Sequence, residues 1–121
     1  MEKSDESIVE MGSISELQVK LGSDQLKHLI ERFSSEINGL ITQIRESYQD
    51  RANVEDLISQ IHKSAGSSAA LGINAMKVQL NLMETSAKSG KPENIWIELP
   101  RLVSIWRTVQ KTLIDHGLLE D

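Results

Sequence analysis

Between Leu26 and Ile44 the chain places apolar residues at helical spacing with almost no break: Leu26, Ile30, Phe33, Ile37, Leu40, Ile41 and Ile44 follow i, i+3, i+4. At about 100° per residue these positions form one stripe along a helix. A stripe of that kind has to be covered, and the rest of the chain offers more of the same to cover it. Val54, Leu57, Ile61, Ser68 and Leu71 form a second stripe, Met76, Leu80, Met83 and Ala87 a third, and Leu102, Trp106, Val109 and Leu113 a fourth. No alternating strand pattern competes, so the expected fold class is all-α.

The boundaries follow from caps and breakers. Ser13, with Glu16 three residues on, reads as a capping box that starts a short helix through Leu17 ending near Gly22. Ser23 or Asp24 is expected to cap the long helix, whose pattern fades at Ser47 to Arg51. Asn53 is expected to cap the next one and Gly72 to stop it. Asn74 opens a further helix that closes at Ser89-Gly90. Pro92 suits the first turn of the last helix, with Ile95 and Leu99 inward. Pro100, lacking an N–H, should kink that helix or restart it before it runs on to Gly117. Short connections make successive helices antiparallel neighbours. The expectation is an antiparallel up-down-up-down four-helix bundle with a short N-terminal capping helix from Ser13 to Leu21. Residues 1–12 are expected to form a flexible tail and residues 13–121 one domain.

Composition narrows the function classes. A chain of 121 residues fits one domain with a modest core, and its four aromatic residues leave that core mostly aliphatic. Without cysteine there are no disulfides and no thiolate metal sites. No apolar run approaches the length that spans a bilayer, and Met1 to Glu10 lack the basic start and apolar stretch of a signal peptide, so a cytoplasmic protein is expected. The polar start at Met1 is expected of a free-standing protein. A net charge of −5 with no basic patch argues against nucleic acid as a partner. No membrane partner is expected, and a monomer is.

One histidine stands apart. His62 lies roughly 140° around the helix from Leu57, away from the apolar stripe, and shares its face with Glu55, Ser59, Gly66 and Ala69. Gly66, one turn on, costs about 1 kcal/mol relative to alanine inside a helix. It makes sense there if something bulky has to approach beside His62. Such a face presents an imidazole as a nucleophile that another macromolecule can reach. Ser64 and Ser68 fall inward, where small side chains let a neighbouring helix pack close. His28 sits on a charged helix flank and His116 in a last turn, where an imidazole suits the helix C-terminus. No histidine pair or carboxylate–histidine cluster has ligand spacing, so no metal site is expected.

His62-Lys63-Ser64-Ala65-Gly66-Ser67-Ser68-Ala69-Ala70-Leu71-Gly72 resembles the signature of the histidine-containing phosphotransfer (HPt) domain. That signature runs His, any residue, an apolar residue, Lys, Gly, often Ser-Ser, and Leu-Gly after two more. His62, Gly66, Ser67, Ser68, Leu71 and Gly72 match it in register. Ser64 and Ala65 depart from it at the apolar and Lys positions. Leu82 to Gly90 resembles the family's second signature, and Asp24 to Phe33 its helix opening.

The resemblance implies a phosphorelay intermediate. His62 would take a phosphoryl group from the aspartate of one response-regulator receiver domain and pass it to another, the receivers including one carried by a hybrid sensor kinase. It implies Glu84 beside the histidine, able to orient it, and Lys88 nearby; Lys63 and Lys88 are the substitutes for the missing lysine. Glu55, Ser59, Lys63, Gly66, Ala69, Glu84 and Lys88 are then the phosphoryl and docking surroundings. No cofactor is expected, the Mg²⁺ being the receiver's, and no ATP-dependent kinase activity, since a Gly-rich phosphate cradle is absent. Two other readings compete: a non-catalytic helical interaction module, and the dimerisation domain of a sensor kinase. The latter commonly has an acidic residue after its histidine, where Lys63 stands here.

Overall fold

The computed structural model describes residues 8–50 and 53–120, and the regular elements among these are all α-helices. In chain order they are α1 (Met11–Leu21), α2 (Ser23–Glu46), α3 (Val54–Leu71), α4 (Asn74–Lys88), α5 (Asn94–Ile97) and α6 (Leu99–Asp115). The four stripes read from the sequence supply the core. Every residue of the Leu26–Ile44 stripe is buried, as are Leu57, Ile61, Ser68 and Leu71 of α3, the α4 stripe and the α6 stripe, with Val54 half-buried at the edge. Each fully buried aliphatic side chain contributes about 1.5–3 kcal/mol, so this shared interior dominates the stability of the helices.

Two starts differ from the capping expectations. Helix α1 begins at Met11, two residues before Ser13, because the amides of Ser13 and Ile14 already bond to the Glu10 carbonyl at 3.1 and 3.3 Å. The Ser13 hydroxyl donates to the Glu10 carboxylate at 2.8 Å instead of capping a backbone amide. Val9 is wholly buried and the Glu10 amide donates to the Gly72 carbonyl at 2.7 Å, so the packed domain begins ahead of residue 13. The rest of the expected tail, residues 1–7, lies outside the described residues. Gly22, not Ser23 or Asp24, is the N-cap of α2, because its carbonyl accepts the Leu26 amide at 3.1 Å. Asn74 opens α4 as expected, with Ile73 as its N-cap, and Asn53 stands at its expected position without a side-chain cap.

Pro100 restarts the last helix. The short α5 ends at Ile97, and α6 opens at Leu99 with Pro100 in the first turn, where a missing N–H costs nothing. Indole donors tie this part to α2: Trp96 Nε1 reaches the Ile44 carbonyl at 3.0 Å and Trp106 Nε1 the Asn38 side chain at 2.9 Å.

The turn between α3 and α4 positions the site. Gly72 has φ 74°, the left-handed conformation that ends a helix, and its own Cβ would stand 2.8 Å from Ser13 Cβ. Glycine is required there on both counts. Helix α3 packs more extensively on α4 than on any other element. No helix among the described residues is long and apolar enough to cross a membrane.

Candidate functional site

His62 projects from the middle of α3 with its side chain 73% exposed. Its angular position dictated this, since Leu57 and Ile61 turn inward and the opposite face cannot. Across the α3–α4 seam stands Glu84, whose side chain is only 10% exposed. Its Oε2 atom lies 2.8 Å from His62 Nδ1 and 2.7 Å from Lys88 Nζ, one turn further along α4. One carboxylate oxygen thus holds both the imidazole and the ammonium.

The charges fix the tautomer. Hydrogen bonding from Lys88 holds the Glu84 carboxyl below the usual carboxylate range; burial opposes this, and His62 reinforces it. An ionised carboxylate only accepts hydrogen bonds. Neutral His62 therefore carries its proton on Nδ1, donates it to Glu84, and leaves the Nε2 lone pair free. A ring nitrogen so arranged is an oriented nucleophile, and any positive charge that develops on the ring meets a carboxylate already in contact with it.

Gly66 stands one turn from His62, and a Cβ built on it meets nothing within 4 Å. Tight helix packing therefore does not account for this glycine. Ser64 and Ser68 are buried, as their positions implied. Ser68 Oγ donates back to the Ser64 carbonyl at 2.8 Å.

Of the residues expected around the histidine, Glu84 and Lys88 are brought into direct contact with one another and, through Glu84, with His62. Glu55, Ser59 and Ala69 are exposed on the same face of α3, and none of them bonds to this group. Glu55 and Lys88 instead rim an open depression floored by Val54, Ile58, Ala87 and Pro92. Lys63 is exposed on the flank without an ion pair among the described residues. Ala65, at the departing lysine position, is 5% exposed and belongs to the core. His28 lies 3.8 Å from Glu31 on the surface of α2, and His116 Nδ1 donates to the Thr112 carbonyl at 2.9 Å. Among the described residues no group of three or more His, Asp or Glu side chains is arranged to hold a metal ion.

Sequence reading missed Glu36. This half-buried carboxylate on α2 accepts the Ser64 hydroxyl at 2.8 Å and the Ser67 hydroxyl at 3.3 Å, clamping α2 to the helix that bears the histidine. A carboxylate beside the inward position Ile37 was the available signal. Comparison with models of known families, with curated proteins and with solved structures gives no match.

Proposed function

We propose that this chain is a histidine phosphotransfer protein of the HPt type, with His62 as the phosphoacceptor. In this reading α2, α3, α4 and α6 form an antiparallel up-down-up-down four-helix bundle, with α1 closing the end where the α3–α4 turn lies. The observation that carries the proposal is the His62–Glu84 contact: a buried carboxylate lies 2.8 Å from Nδ1 of an imidazole whose side chain is 73% exposed.

The partner is a receiver domain phosphorylated on aspartate, including one belonging to a hybrid kinase, and the protein acts as a cytoplasmic monomer. The Nε2 lone pair attacks phosphorus in line with the aspartyl oxygen. The Nε2–P bond forms as the P–O bond breaks, and that electron pair returns to the aspartate as carboxylate. The Nδ1 proton stays between the ring and Glu84, so the ring gains positive charge against an existing negative partner. Such a transfer has a loose transition state, in which alignment and charge placement do most of the catalysis. The receiver contributes its own Mg²⁺. A second receiver reverses the sequence.

The test uses phosphoramidate, a small donor that needs no docking, and a panel of phosphorylated receiver domains. Wild type becomes labelled by both, with a label stable in base and labile in acid, and His62→Gln by neither. Labelling retained in His62→Gln, or a base-labile product, rejects the assignment. Receivers that leave the wild type unlabelled favour a non-catalytic interaction module.

A further inference from the structure

Beside the exposed face of α3 runs an open groove of about 270 Å³ between α1, α2 and α3. Leu17, Leu29, Phe33 and Ala70 give it a mostly apolar lining. Leu17 and Leu29 are only half-buried and Ala70 is exposed. The groove connects with the histidine along one helical track. His62, Gly66 and Ala70 stand at i, i+4 and i+8, each step turning about 40° towards α2 and advancing about 6 Å. No side chain at Gly66 interrupts that track. The distance from His62 to Ala70 along the axis, about 12 Å, fits within the footprint of an ordinary protein interface.

The rim of this groove carries two opposite charges with different fates. On a helix Glu36 would be the i+4 partner of Arg32. Its Oε2 atom is turned instead to the hydroxyls of Ser64 and Ser67. Arg32 is left exposed and without an ion pair among the described residues. The apolar groove is thus edged by one available guanidinium and by a carboxylate already engaged within the fold.

The geometry points to Arg32 as a specificity-determining residue. The partner that reaches His62 is a protein surface that seats an apolar side chain in the groove and sets a carboxylate against Arg32. A planar guanidinium takes a carboxylate through two parallel hydrogen bonds, so it selects by geometry as well as by charge. A rim charge of this kind acts mainly on encounter rate and on its salt dependence. This inference rests on the phosphotransfer reading, because the partner is defined as the one that delivers the phosphoryl group.

The experiment compares wild type, Arg32→Glu and Arg32→Lys with two donors: phosphoramidate, and whichever receiver of the panel transfers fastest to wild type. Arg32→Glu lowers the receiver's transfer rate at limiting concentration by about tenfold in low salt, and its rate loses the salt dependence that wild type shows. Arg32→Lys falls between the two. Labelling by phosphoramidate and the melting temperature stay the same in all three. Equal receiver rates for wild type and Arg32→Glu overturn the inference while leaving His62 as the acceptor. So does a parallel fall in phosphoramidate labelling, which would place the effect on the histidine. Failure of phosphoramidate to label wild-type His62 instead rejects the phosphotransfer reading itself.

Discussion

Glu84 Oε2 lies 2.8 Å from His62 Nδ1, so a buried side chain on one helix decides which nitrogen of an exposed side chain on the preceding helix carries the proton of the neutral ring. The carboxylate matters here more than the hydrogen bond as such. An amide can accept from Nδ1–H or donate to a bare Nδ1, and so does not dictate the tautomer. Glu84→Gln should therefore slow phosphoramidate labelling by about tenfold, the kinetic equivalent of ~1.4 kcal/mol. Ring-nitrogen NMR should show wild-type neutral His62 protonated on Nδ1 and a mixed population in the variant. An unchanged tautomer with an unchanged rate would remove Glu84 from the mechanism.

The same carboxyl makes stability depend on pH with a defined sign. Its folded-state pKa is lowered, chiefly by Lys88. The resulting stabilisation is fully present above the ordinary glutamate pKa and is lost as pH falls through the lowered folded value. Melting curves for wild type and Glu84→Gln from neutral to strongly acidic pH should converge at the acid end. A gap that stays constant would mean that the ion pair contributes nothing to folding.

His62→Gln should leave the fold intact, because the side chain is largely exposed. A stability change within about 0.5 kcal/mol is expected, measured by denaturant unfolding. A collapsed variant would make the residue structural.

Gly66 separates access from packing. With open space around its Cβ position, Gly66→Ala should stabilise α3 by up to about 1 kcal/mol and yet slow transfer from a receiver. Gly66→Leu should slow it much further without unfolding. Full transfer rates in both variants would leave the glycine unexplained.

The two lysines should differ. Lys88→Ala removes the ammonium that shares the Glu84 oxygen, whereas Lys63→Ala removes a flank charge with no ion pair among the described residues. Transfer should fall several-fold in the first and little in the second, with the difference shrinking at high salt. Ala65→Lys would force an ammonium into a position only 5% exposed, so a loss of stability is expected there rather than a simple gain of charge.

The helices were legible because their information is local: the run from Leu26 to Ile44 states its own period, and each of its apolar residues is buried. The face of His62 was legible for the same reason. Ser13 misled because a capping box specifies a start only if nothing earlier does, and Val9 packing with the Glu10–Gly72 bond starts α1 sooner. The partners of Glu36 could not be read, since Ser64 and Ser67 stand 28 and 31 residues away and meet it only after the helices dock. Glu84 was placed beside the histidine by resemblance alone; angular counting on α4 does not reach across to α3.

The left-handed turn at Gly72 has a consequence for how this molecule can vary. The imidazole and its carboxylate are 22 residues apart and belong to one helical hairpin. Pairings over such short loops form quickly. The contact between His62 and Glu84 is therefore contained in the hairpin running from Val54 to Lys88. The exposed residues with which α1 and α2 edge the neighbouring groove can change without touching that pairing, whereas the buried stripe of α2 and its Glu36 clamp on α3 cannot.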